Sequence, residues 1–221
     1  MRARNVLGNV RYVLSRAASN LTLIFVIWAG LSFVSAAGNT SGDDLGPMVD
    51  VFSIVFVPFL WLAIIHCSIS TYQGNTPRLR ECFEVAFKAY LPASLILLGG
   101  VFATSVLGGI FALASFLGVA ATMLMLVIFV AERPRAKDWL PRLFKLVEGY
   151  FLPTLIGLVA GSLILFLIGV VVILVVSTQG LAAEWSTSFG AMAFLSIYLF
   201  FCIGLYIELR NLEVDEATVF D

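Results

Sequence analysis

Long uncharged apolar runs recur along the chain, separated by short polar stretches. A helix needs about 20 apolar residues to cross a hydrocarbon core ~30 Å thick. The first such run extends from Leu21 to about Ala37, and the second from about Val51 to Ile69. Between Leu91 and Ala131 lie 41 residues without a charge. One helix of that length would measure roughly 60 Å at ~1.5 Å per residue, twice the core. The stretch therefore reads as two spans, with a turn between Gly108 and Gly118. A fifth run extends from about Phe151 to Val176, and a sixth from about Gly190 to Ile207. None alternates apolar with polar residues as barrel strands do, and lipid-exposed backbone must satisfy its own hydrogen bonds, so helices are expected.

A second pattern precedes each pair of runs. Val6, Val10, Val13, Leu14 and Ala17 share one helical face, with Arg4, Arg11 and Arg16 largely off it. Leu79, Phe83, Ala86, Phe87 and Tyr90 repeat that spacing between Arg80, Glu81, Glu84 and Lys88. Thr76 reads as its N-cap, with Pro77 at the first helical position. Leu140, Leu143, Phe144 and Val147 form a third stripe, with Asp138 as its cap. Such helices can lie in the headgroup plane. The runs that follow align as well: each starts at Leu21, Leu91 or Leu152 and reaches a small pair at Gly30, Gly100 or Gly161. The expected fold is all-α, a single polytopic membrane domain of six spans with three cytoplasmic interfacial helices. It reads as a threefold repeat of helix plus hairpin, with units of about 1–72, 73–133 and 134–210, and residues 211–221 form a short cytoplasmic tail.

Composition agrees with this reading. Hydrophobic residues make up 61% of the 221 positions and charged residues 12%, against roughly 45–50% and ~25% in soluble domains. The charges then supply sidedness. All thirteen Lys and Arg residues precede span one, follow span six, or lie in the loops after spans two and four. The opposite face holds Asp43, Asp44, Asp50 and Glu184 and no basic residue. Cytoplasmic loops carry the Lys and Arg, so both termini are expected in the cytoplasm. The near-neutral formal charge of -1 conceals this separation. A competing reading takes the N-terminal run, ending in Ser35-Ala36-Ala37, as a cleaved secretory signal.

Val130-Ala131-Glu132, the segment Leu140-Pro141-Arg142-Leu143-Phe144-Lys145-Leu146 with Gly149-Tyr150-Phe151, and the ending Tyr206-Ile207-Glu208-Leu209-Arg210 carry a resemblance. In these residues and in layout the chain resembles the six-span bacterial inner-membrane proteins of the YciC type. It also resembles the membrane domain attached to some glycerophosphoryl diester phosphodiesterases. Those families often carry Pro-Gly at the start of the fourth span, where this chain has Ser115-Phe116-Leu117-Gly118. The resemblance implies a bacterial plasma-membrane protein and lends no activity and no site residues.

Conventional chemistry is scarce. His66 is the only histidine and sits in the inner half of span two beside Cys67. A proton relay or metal role would need partners. The favoured reading is a neutral histidine hydrogen-bonded between helices or reaching the interface. Cys67, Cys82 and Cys202 lack metal-site spacing. Span-internal Lys, HExxH, G-x-S-x-G, P-loop and G-x-G-x-x-G motifs are all missing. No catalytic residue, metal site or cofactor is therefore assigned. Glu208, at the end of span six, could pair with Arg142 or Lys145. Gly157 and Gly161 form a GxxxG in span five, and Gly100 with Thr104 a related small pair, both read as packing within one bundle. Trp139 and Trp185 suit opposite interfaces, and Trp28 and Trp61 suit packing. The expected function is non-enzymatic: a scaffold, modulator or accessory subunit, with the lipid bilayer, a membrane-protein partner or a second copy as its contacts and no nucleic acid. The alternative is a small transporter or lipid-handling protein.

Overall fold

The computed structural model describes residues 3–41, 45–110, 112–148, 150, 153–157, 159 and 196–214. Every regular element among them is helical: α1 (Ala3–Arg16), α2 (Ala18–Ser41), α3 (Leu45–Tyr72), α4 (Leu79–Ile110), α5 (Ala112–Glu132) and α6 (Trp139–Val147), with a 3-10 turn at Ala136–Asp138 before α6. Residues 153–157 and 196–214 are helical as well. Three stretches are long and apolar enough to cross a membrane: Ala18–Gly38, Val55–Tyr72 and Leu79–Val106. Gly118–Glu132 is a shorter apolar helix. Gly100 of α4 meets Thr122 of α5 and Gly118 of α5 meets Thr104 of α4, so the two helices run antiparallel, as expected of a hairpin in the charge-free stretch. Most of the fifth run, the start of the sixth, Trp185 and Gly161 lie outside the described residues.

α3 is the enclosed helix of the bundle. Its residues Leu60 to Ile65 are all buried, with α2, α4, α5 and α1 around it. α4 is the opposite case, leaving Leu91, Leu95, Leu98, Val101 and Phe102 exposed along one side. An apolar side chain in water would be a liability, so that face suits lipid. Phe52, Phe56 and Phe59 of α3 continue into Phe83 of α4 as a stack with centroid steps of 5.2, 5.6 and 5.5 Å.

The three amphipathic segments are not equivalent. α1 continues into α2 across a bend at Ala17, where Ala17 N–H donates to the Val13 carbonyl and Leu21 N–H to the Ala17 carbonyl. Its Val6, Val13 and Ala17 are buried in the bundle, whereas Leu14 is exposed. The second segment is the first three turns of α4 itself, not a separate interfacial helix. Pro92 withholds a donor from the Lys88 carbonyl, and the helix passes through it. Nearby, the Ser94 hydroxyl donates to the Tyr90 carbonyl at 2.9 Å. Pro58 lies inside α3, and close to it the Tyr90 hydroxyl of α4 donates to the Val55 carbonyl at 2.9 Å, a tie between the two helices. α6 stands apart as a nine-residue helix.

Helix ends follow local chemistry. α3 stops in a Schellman motif: Gly74 has φ 85°, Gly74 N–H donates to the Thr71 carbonyl, and Asn75 N–H to the Ser70 carbonyl. The expected Thr76 cap is corrected, because α4 begins two residues later. Arg78 is the cap position, and its N–H donates to the Glu81 carboxylate at 3.0 Å, half of a capping box. Asp138 does precede α6 but makes no side-chain cap bond.

α4 and α5 meet through small residues. A Cβ on Gly100 would overlap the Thr122 side chain, and one on Gly118 would come within 2.6 Å of Thr104 Oγ1. Each glycine thus receives the other helix's threonine, an antiparallel lock between two small-xxx-small pairs. The Gly100–Thr104 pair packs within one chain, as its spacing suggested.

Candidate functional site

One end of the bundle collects the polar groups that the spans exclude. Asn20, at the start of α2, donates to the Pro77 carbonyl at 2.9 Å after the α3–α4 turn. Asn211 donates to the Tyr72 hydroxyl at 2.9 Å, and Asn5 of α1 to Glu208 Oε1 at 2.9 Å. Glu208 is buried, so a hydrogen-bonded amide is a suitable partner. The expected pairing of Glu208 with Arg142 or Lys145 is corrected here. Glu208 faces α1 and Asn5, while Arg142 is taken by two other carboxylates.

Those carboxylates form the centre of the site. Arg142 of α6 reaches Glu132 at the end of α5 through Nε and Nη2, the latter at 2.8 Å. The same guanidinium donates from Nη1 and Nη2 to both oxygens of Glu213, each at 2.8 Å. Two bidentate forks on one planar group explain why arginine rather than lysine occupies this position. Tyr206 donates to Glu132 Oε1 at 3.0 Å, and Arg210 pairs with Glu213 one helical turn away. Helix 196–214 therefore continues four residues into the expected tail, and Glu213 is held in the bundle.

The cluster is neutral, with two carboxylates and two guanidinium groups, and partly enclosed. Side-chain exposure is 15% for Arg142, 20% for Glu132 and 29% for Glu213. Hydrogen bonds from Arg142, with help from Arg210, hold the Glu213 carboxyl at about 2. The Glu213 and Glu132 carboxylates in turn raise Arg142 above its ordinary value. Glu213 is thus ionised at neutral pH and has its acceptor sites occupied, which suits a fastener and not a proton donor.

The remaining candidates do not join this cluster. His66 is half-buried in α3, and its Nε2 lies 3.5 Å from Ser70 Oγ one turn further along the same helix. Its partner is local rather than interhelical. Cys67, Cys82 and Cys202 are buried free thiols, and Cys67 receives Asn20 Nδ2 at 3.9 Å. No group of three His, Cys, Asp or Glu able to hold a metal occurs among the described residues. Gly157 lies in the helical segment 153–157, while Gly161, its partner in the motif, is outside the described residues.

Comparison with family models, characterised proteins and solved structures gives no match. The function must be argued from the chain's own geometry.

Two residues that the sequence pattern did not mark complete this end. Gly204 lets α1 approach helix 196–214 closely: a Cβ there would meet Val10 Cγ2 at 2.6 Å and the Val6 carbonyl oxygen at 2.8 Å. Glu213 falls within residues 211–221, the expected tail. The signal for it was the i, i+3 spacing from Arg210 that continued the last helix. Gly204 carried a weaker signal, being a glycine inside an apolar helix, where glycine costs stability unless something packs on it.

Proposed function

We propose that this chain is a non-enzymatic integral membrane protein of the plasma membrane, with six spans and cytoplasmic termini. In this reading it acts as a scaffold, modulator or accessory subunit of a membrane complex. One observation carries the proposal: the only ion-pair cluster that joins separate helices among the described residues is spent on tying α5, α6 and helix 196–214 together. A second tie, Asn5 to Glu208, fixes α1 to the same end. A braced end that also presents Arg78, Lys88, Arg133, Arg135 and Lys137 suits a docking platform better than a moving gate. An ion or proton path would instead need unspent polar groups along the spans.

The partner reading is tested by affinity purification in mild detergent followed by mass spectrometry. A stoichiometric membrane-protein partner is expected, and a partner-free monomer from native membranes would overturn the proposal. The topology is tested separately. Single cysteines at positions 44 and 186, in a background without Cys67, Cys82 and Cys202, should react with an impermeant reagent added outside. A cysteine at position 137 should not. The reverse pattern would invert the orientation.

A further inference from the structure

Between α4, α5 and α6 runs an open apolar groove of about 680 Å³. That volume lies in the roughly 300–1,000 Å³ range of small-molecule sites. Its floor is built of small residues, Gly99 and Gly100 from α4 and Gly118 and Ala121 from α5, and its upper wall is Leu140 of α6. Leu95, exposed on the face of α4 that suits lipid, lines the groove. Its polar end is equally specific. Lys137 and Trp139 line the mouth, and the Trp139 indole donates to the Pro134 carbonyl at 3.1 Å. The edge of Trp139 meets Phe129 at 5.6 Å, and Phe129 lines a neighbouring pocket of about 110 Å³ shared with Lys88 and Arg133. None of these three cations has a carboxylate partner among the described residues, unlike Arg80, Arg142 and Arg210.

An apolar trough that ends in a tryptophan and three cations without a carboxylate partner among the described residues matches a lipid with a negative headgroup. We propose that the groove binds one anionic glycerophospholipid. An acyl chain lies over Gly99 and Ala121, and the phosphate is held at Lys137 within the field of Lys88 and Arg133. Basic pockets at the ends of membrane helices recognise such headgroups. This site does not depend on the scaffold reading, since a resident lipid serves a platform, a transporter or neither.

The test uses the full-length protein, delipidated in detergent. Phosphatidylglycerol, phosphatidylcholine and free glycerol phosphate are added in turn, and native mass spectrometry and melting temperature are read. One phosphatidylglycerol per chain is expected, bound in preference to phosphatidylcholine, with free glycerol phosphate giving no stabilisation. Lys137→Gln should weaken phosphatidylglycerol about fivefold and leave phosphatidylcholine unchanged, as expected for loss of one interfacial cation. Gly99→Leu should block both lipids, because nothing lies within 4 Å of a Cβ at Gly99 and the new side chain can enter the groove. Equal affinity for the two lipids, or stabilisation by glycerol phosphate alone, would overturn the proposal. So would a lowered melting temperature of Gly99→Leu without lipid, because it would mean that another segment of this chain fills the groove.

Discussion

Replacing Arg142 with leucine removes the group that makes paired bonds to both Glu132 and Glu213. Two carboxylates that shared one guanidinium are then left facing each other, with only Arg210 to compensate. Breaking a fully buried pair by deleting one partner costs about 3–5 kcal/mol. Water reaches 20% of the Glu132 side chain and 29% of Glu213, which moves the expected loss to about 2–3 kcal/mol. The measurement is equilibrium unfolding in mixed micelles, followed by circular dichroism. The triple variant Arg142→Leu, Glu132→Gln, Glu213→Gln removes the repulsion and should recover at least half of the loss. The pH dependence has a definite sign. Glu213 ionises at about 2 in the folded protein and near 4.3 when unfolded. Its stabilisation is therefore complete above the unfolded value and disappears as pH falls towards about 2. Wild type should lose stability across that window more steeply than Arg142→Leu. A single variant within about 0.5 kcal/mol of wild type would refute the reasoning. A triple variant as unstable as the single one would show that packing, not charge, carries the effect.

Three further outcomes follow from the space around glycines. Gly100→Ala drives a methyl into Thr122 and should cost about 1–3 kcal/mol in the same unfolding assay; adding Thr122→Gly should restore much of it. Gly204→Ala meets the Val6 carbonyl, which cannot rotate away, so a loss of about 1–3 kcal/mol is expected together with faster proteolysis of the α1 segment. Gly99→Ala, one residue from Gly100 and with open space at its Cβ, should be neutral or up to about 1 kcal/mol stabilising.

The contrast between Gly99 and Gly100 bears on how far the sequence could be read. Hydropathy and length located α2, α3 and the α4–α5 hairpin, because each depends only on how many apolar residues run together. The same pattern could not tell an interfacial helix from the first turns of a span. Leu79 to Tyr90 is amphipathic, yet nothing at the Tyr90–Leu91 junction compels a break. Pro92 is the nearest breaker, and α4 runs through it. α1 shows a different limit. Its apolar face was placed correctly, but that face packs on helix 196–214 at Gly204, a contact nearly two hundred residues away in sequence. Periodicity shows that a face is apolar; only the other side of the contact shows whether lipid or protein covers it.

The charged cluster shows the same boundary from the polar side. Glu132 and Arg142 were both visible as residues near a span end, and Glu208 was the partner that proximity to span six suggested. Residues 208 and 213 differ by five positions, which turns their side chains about 140° apart on a helix of 3.6 residues per turn. Glu208 must then face α1 if Glu213 faces α6, and one arginine cannot reach both. Arg210 lies one turn before Glu213 and shares its side of the helix, so the two close the cluster from a single element. Once that last helix is extended through residue 214, its phase alone separates the two acids. The tail reading concealed this by ending the helix at 210, before the residue that completes the brace.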